Sequence, residues 1–265
     1  MRDVVVDRFT DLRGKHANEI AFIMGNGPSL NETNLDLLEG QTVFASNAAF
    51  LLFERISWRP RYYFACDSRF VADRAPELQA MVRDTPDVEL FTPSVMHHWD
   101  GSGRIEPTAN YLPRGERIRH YRPIPVTDKN LPFSAVSSDM DECLVMPFTV
   151  TVNMIEAAVY MGFKILVLIG CDTSYIVPEH VEVAGPNDAL LTSTQDDPNH
   201  FDPSYFGAGR RWHQPHPERM MQHYAWARDA FAPRGVQIVN ATVGGALEVF
   251  PRICLEECVA AATVI

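Results

Sequence analysis

The chain has 265 residues, 46% of them hydrophobic and 22% charged, enough apolar material to build a real core in one large α/β domain. Its 34 acidic against 23 basic residues give a formal net charge of −11 and a pI near 5.2, which argues against broad nucleic-acid binding and requires any anionic ligand to be held locally. No apolar run approaches the ~20 residues that span a bilayer, and Met1 to Asp7 is too short and acidic for a signal peptide, so a cytoplasmic protein without a transmembrane segment is expected.

The first predicted element is a strand, Ile20 to Met24, whose unbroken apolar run suits burial on both faces in a parallel sheet. It breaks into Gly25-Asn26-Gly27-Pro28-Ser29-Leu30. Gly25 and Gly27 allow positive φ and close backbone approach to a ligand, and Pro28 suits a tight turn or first helical turn. Ser29 through Glu32 fits a capping box, followed by Leu35, Leu37 and Leu38, so a helix N-terminus with free N–H groups is expected beside the turn. Such an end attracts phosphate. The pattern is neither the dinucleotide fingerprint nor a P-loop, and Asn and Ser also serve as ordinary turn and cap residues.

Further strands are expected at Thr42–Ser46, Arg61–Cys66, Val88–Thr92, Ile165–Gly170 and Val236–Asn240, with a helix over Thr151–Met161 ended by Gly162 and another over Glu218–Phe231. Strand and helix alternation implies a Rossmann-like three-layer α/β/α fold with a mainly parallel sheet, whose ligands sit at the carboxyl ends of the strands. Two segments resist this pattern: 93–140, rich in Pro, Arg, Ser and Asp, and 173–212, which is too long for an idle loop and reads as a lid inserted into a single nucleotide-binding domain spanning 1–265. The five cysteines form no CxxC pair; Cys254 and Cys258, one helical turn apart, read as core thiols.

Polar residues follow the strands in turn: Asn26, Ser46-Asn47, Asp67 and Asp172. Each alone could be a cap or turn former, but their convergence on one sheet edge implies a polar cleft. Thr149 or Thr151 caps the crossover helix and can aim hydroxyl and backbone donors at the same edge. His200, His213 and His216 are candidate bases, since imidazole titrates near neutrality. A zinc site on His213, His216 and His223 matches no familiar spacing, and no metal is expected. Tyr175, Tyr205, Arg210 and Arg211 in the lid could stabilise a leaving phosphate.

Gly25 to Leu30, Phe44-Ala45-Ser46-Asn47, Met161-Gly162-Phe163-Lys164 running into Gly170-Cys171-Asp172, and a late histidine before a helix together resemble two related groups. These are the bacterial CMP-sialic acid-dependent sialyltransferases of glycosyltransferase family 42 and the wider DUF115 family of 6-hydroxymethylpterin diphosphokinase-like and flagellin-modifying proteins. Asp197 to Pro203 through Trp212-His213, with Asn240 to Gly245 and Glu248 to Pro251, is similar to members of the wider family in surface-polysaccharide contexts. The resemblance spans about 18–252. It implies that Asn26, Gly27, Ser29 and Asn47 contact a nucleotide, with Thr149 to Thr151 nearby; the glycine turn and the strand ends add Gly25, Asp67 and Asp172 as candidate contacts. It further implies that Tyr175 and Tyr205 approach the phosphate and that His213 deprotonates the acceptor.

The activity this implies is transfer from a CMP-activated, nonulosonic-acid-like sugar to a glycan hydroxyl, without metal. Where the sialyltransferases have a Ser-Gly step before the crossover helix, this chain has Val150-Thr151, and their lid is shorter. Two alternatives stand beside it: an ATP-dependent diphosphotransferase with Mg²⁺ on Asp67 and Asp172, and a nucleotide-binding module without turnover. Donor sugar, acceptor and oligomeric state stay open.

Overall fold

A computed structural model describes residues 4–98, 102–125, 136–146, 148–176, 181–184 and 190–263. Outside the described residues lie 1–3, parts of the Pro-rich segment (99–101, 126–135), Pro147 before the crossover helix, parts of the expected lid (177–180, 185–189) and the tail end 264–265.

In chain order the elements are β1 (Ile20–Met24), β2 (Thr42–Ser46), β3 (Tyr62–Phe64), α1 (Ser68–Asp84), β4 (Glu89–Pro93), β5 (Val95–His97), β6 (Ile105–Pro107), β7 (Ile118–Tyr121), β8 (Pro123–Pro125) and β9 (Leu144–Met146). There follow α2 (Val150–Tyr160), β10 (Ile165–Ile169), β11 (Val181–Ala184), β12 (Leu190–Ser193), β13 (Arg211–His213), α3 (Pro217–Phe231), β14 (Gln237–Asn240) and α4 (Leu255–Ala262). Seven strands form one parallel sheet in the order β14-β10-β1-β2-β3-β4-β7. Every residue of β1 is buried, and the pleat splits them. Ile20, Phe22 and Met24 join a core shared with α1, while Ala21 and Ile23 join one shared with α2 and α3. The sheet is therefore covered on both faces, the expected α/β three-layer arrangement.

Two sequence expectations fail locally. No α-helix follows β1; Pro28–Asn31 and Leu35–Leu38 are separate 3₁₀ turns. The capping box does not form, because Gly27 occupies the cap position and the Ser29 hydroxyl is drawn instead to Asp172, 2.6 Å away. The Pro-rich segment is not structureless either: β5 and β6 pair as a hairpin, and β7 extends the main sheet beside β4. Its Arg119 and His120 hide the strand from a hydrophobicity pattern; His120 is nonetheless buried, its Nε2 2.9 Å from the Leu112 carbonyl.

Helix α2 carries a buried carboxyl on its core side. Glu156 receives the N–H groups of Ser137 (2.5 Å) and Val145 (3.2 Å) and the Asn153 amide (3.0 Å), tying the chain before β9 to the helix. Burial outweighs these donors and pushes the carboxyl up to about 8. At the C-terminal end, Cys258 is buried and Cys254 is exposed with its thiol 2.5 Å from the Glu256 carboxylate.

Candidate active site

At the carboxyl edge of the sheet, β1 connects onward to β2 on one side and meets β10 on the other, and the diverging connections open a cavity of about 610 Å³. Its walls are the turns Gly25–Gly27 and Gly170–Tyr175, the residues after β2 and β3 (Asn47, Cys66, Asp67), the start of α2 (Phe148–Thr151), the loop residues Asn199, His200, Tyr205 and Phe206, and Trp212–His216 with Arg219, Met220 and Tyr224. Of the expected site residues, Gly25, Asn26, Gly27, Asn47, Asp67, Thr149, Thr151, Asp172, Tyr175, Tyr205 and His213 line it together. Ser29 does not: it is buried behind the turn.

The glycine turn differs in chemistry from the expectation. Neither Gly25 nor Gly27 has a positive φ. The Gly25 N–H donates to the Ile169 carbonyl (2.8 Å) and the Gly27 N–H to the Gly170 carbonyl (2.9 Å), prolonging the pairing of β1 with β10 past the strand ends. A Cβ on Gly25 would strike the Gly170 carbonyl, and one on Gly27 the Asp172 carboxylate, so close approach is what demands glycine here. Ser29 donates its N–H (3.2 Å) and hydroxyl (2.6 Å) to Asp172. Three backbone donors expected to face a phosphate are thus spent inside the protein, and a carboxylate already fills the anion position at this turn.

Two amide oxygens in the cavity wall stay unmatched. Asn26 donates its Nδ2 to the Ser46 hydroxyl (3.1 Å), but its Oδ1 is buried without a partner among the described residues, as is Asn47 Oδ1. Asn47 also holds a left-handed φ of 50°, its carbonyl fixed by the Tyr63 hydroxyl at 2.6 Å, and Thr173 across the cavity has a φ of 55°. Buried acceptors and strained backbone cost free energy, and they concentrate where a ligand makes use of them. The N-terminus of α2 opens on the same space, with Thr149 accepting the Thr151 N–H at 3.4 Å.

His213 is brought to Asp67 although 146 residues separate them: Nδ1 lies 2.7 Å from Oδ2. Strand β13 delivers the histidine, held in register by pairing of Leu190 with His213 and by Trp212 Nε1 donating to the Ser193 hydroxyl (3.0 Å). Asp67 is fixed as the N-cap of α1, accepting the Phe70 N–H at 2.8 Å. Burial works to raise its carboxyl, but the His213 ring and the N–H groups of Phe70 and Arg69 together hold it below the usual range. A carboxylate at Nδ1 keeps the neutral ring in the tautomer whose Nε2 carries the basic lone pair.

The other candidates separate. His216 lines the cavity and is exposed, while His223 is fully buried with Nδ1 accepting the Phe148 N–H at 3.4 Å, so the three histidines do not share a metal position. Among the described residues no group of three metal-ligating side chains occurs. Arg210 and Arg211 do not line the cavity; Arg211 pairs with Asp73 (3.1 Å) and Arg210 faces Glu77 (3.9 Å) on α1. Tyr205 is a core residue, 1% exposed, its hydroxyl turned to the Ala48 backbone and the Asn47 side chain. Burial pushes the phenols of Tyr175 and Tyr205 upward, so both stay neutral. Burial likewise raises the Cys66 thiol, and Cys171 up to about 12, which makes neither a nucleophile. Cys66, Phe148, Arg219 and Tyr224 join the wall without any sequence signal beyond their neighbourhood of the predicted elements, and Trp212 with none beyond the motif resemblance.

No family model and no curated protein matches the chain. Among solved structures, the MAf glycosyltransferase from Magnetospirillum magneticum AMB-1 is similar over 94% of this chain with a TM-score of 0.53 and 14% identity. The fold is shared with a glycosyltransferase. This chain spans 35% of that protein's length, about a third of it. The sialyltransferase CstII from Campylobacter jejuni, in complex with a substrate analogue, cytidine-5′-monophosphate, has a TM-score of 0.47 at 12% identity, over 89% of this chain and 85% of that one. No helix among the described residues is long and apolar enough to cross a membrane.

Proposed function

We propose that this chain is a glycosyltransferase that binds a CMP-activated acidic sugar in the cavity and transfers the sugar to a glycan hydroxyl. The observation that carries the reading is the Asp67–His213 pair at the carboxyl edge, in a cavity of the size that holds a nucleotide sugar. His213 Nε2 takes the acceptor proton as the oxygen bonds to the anomeric carbon, and the bond from that carbon to CMP breaks with its electron pair leaving on the phosphate. The unmatched oxygens of Asn26 and Asn47 accept hydrogen bonds from ribose hydroxyls or the base amine. Neutral Tyr175 donates to the departing phosphate, and the segment around β11 to β13 screens the donor from water. The CMP and acidic-sugar part of the reading rests on the motif resemblance.

The diphosphotransferase alternative needs Mg²⁺ on Asp67 and Asp172. Their oxygens are engaged already: Asp67 by Phe70 and His213, Asp172 by both donors of Ser29. A metal there would have to share or displace these donors, and we route no step through one.

A thermal-shift panel of CMP, CDP, UDP, GDP and ATP, with Mg²⁺ or EDTA, tests the reading. CMP at 100 times its Kd should add about 2.7 kcal/mol of stability regardless of EDTA. His213→Ala should keep the CMP shift and lose about 10²- to 10⁴-fold in transfer rate. A shift confined to ATP with Mg²⁺, or full transfer by the variant, overturns it.

A further inference from the structure

A second histidine in the cavity wall, His200, is backed by a carboxylate behind it. His200 Nδ1 lies 2.7 Å from Asp197 Oδ2, with side-chain exposures of 14% and 4%. The Asp197 carboxylate is itself fixed by the N–H groups of Asn199 (2.8 Å) and Phe206 (3.0 Å). The imidazole stacks on Tyr205 at 3.9 Å between centroids and 6° between planes, and meets Phe206 edge-on at 5.3 Å. Its Nε2 makes no hydrogen bond among the described residues.

This ring is tethered to the glycine turn. The next residue, Phe201, donates its N–H to the Asn26 carbonyl (3.1 Å) and accepts from the Asn31 side chain (2.8 Å). The preceding residue, Asn199, clamps both the N–H (2.7 Å) and the carbonyl (2.8 Å) of Ile176, which fixes Tyr175 alongside.

A phosphate in this cavity lacks the amides of Gly25, Gly27 and Ser29, and the chain carries a net charge of −11. The N-terminus of α2 supplies backbone dipole but no charged side chain, so a phosphate would draw on charged or polar side chains of the wall as well. The one arginine there is Arg219, exposed and lying over the Phe148 ring at 5.3 Å, and no lysine lines the cavity among the described residues. We infer that His200, held at Nδ1 by Asp197, is the wall contact for the phosphate of the bound nucleotide. With the Asp197 carboxylate at Nδ1, it is the arrival of an anionic phosphate at Nε2 that favours the doubly protonated ring donating to both, which sets His200 apart from His213 at the acceptor; the Tyr205 stack holds the ring in place before binding. The inference rests on the proposed reading that a nucleotide occupies this cavity, and it gives the two histidines separate tasks: His213 at the acceptor, His200 at the leaving group.

Calorimetric titration of CMP and of cytidine, which differ by the phosphate alone, into the full chain and its His200→Gln and His200→Phe variants tests it. Phenylalanine preserves the ring stack and guards against a merely structural loss. Both variants should weaken CMP by about 10- to 100-fold while leaving cytidine within about twofold. Equal losses for CMP and cytidine, no loss at all, or loss of phosphate discrimination in Arg219→Gln instead would overturn the assignment. If the wild type binds UDP or ATP rather than CMP, the same comparison is made against uridine or adenosine. A His200-dependent phosphate term would then uphold this inference while the CMP reading falls. A wild type that binds none of these nucleotides overturns both.

Discussion

Asp67 does two things that substitution can separate. One oxygen caps α1 through the Phe70 N–H, and the other holds His213. Asparagine caps a helix as well as aspartate does, so Asp67→Asn should keep the cap's share of stability and lose only what the carboxylate adds through His213, while turnover falls by about 10²-fold or more. Asp67→Ala should lose the same activity and about 1 kcal/mol of stability besides. Urea melts paired with kcat for the three proteins check this. Because folding lowers the Asp67 carboxyl, the stability it adds is present above the ordinary carboxylate pKa and is lost as the pH falls through the lowered value.

The elements are joined at points where little substitution is tolerated. Alanine at Gly25 would drive a methyl into the Gly170 carbonyl, so Gly25→Ala should cost about 1–3 kcal/mol by pushing β1 and β10 apart, and should weaken nucleotide binding with it; thermal unfolding and titration read the two losses together. Helix α2 is tied through Glu156, whose carboxyl is raised to about 8 by burial. A raised folded pKa means its contribution is complete below the unfolded value near 4.5 and is lost as pH rises through about 8. Wild-type stability should therefore decline between pH 5 and 8.5 by more than that of Glu156→Gln, which carries no titrating proton there. Equal declines by denaturant titration would remove Glu156 from the account. Strands buried on both faces, such as β1 and β10, are legible in sequence because continuous apolar runs leave little else for them to be. Strand β7 is not, because its Arg119 and His120 find polar partners that a pattern cannot display. The sheet edge where Asn26, Asn47, Asp67 and Asp172 meet follows from alternation alone. That Asp67 meets His213, and that Ser29 meets Asp172, depends on which connections fold back over that edge. A glycine in sequence announces freedom, but not the carbonyl packed against it.

For the molecule as a whole, the nucleotide proposed above would approach a body of net charge −11. Raising ionic strength from about 10 to 150 mM shortens the screening length from about 30 to 8 Å. Stopped-flow association of CMP should accelerate across that range as long-range repulsion fades, and a rate that falls would place the dominant field at the cavity mouth instead. The bonds that shape the cavity also have a history in time. Ser29 and Asp172 are 143 residues apart, whereas β1 to β4 assemble between neighbours in the chain. Closing so long a loop costs more chain entropy than pairing adjacent strands, so the docking of β10 beside β1 is expected to follow the pairing of β1 to β4. During refolding, ligand-binding competence should appear after the burial of Trp58, which lies between β2 and β3, and together with that of Trp212 in the cavity wall.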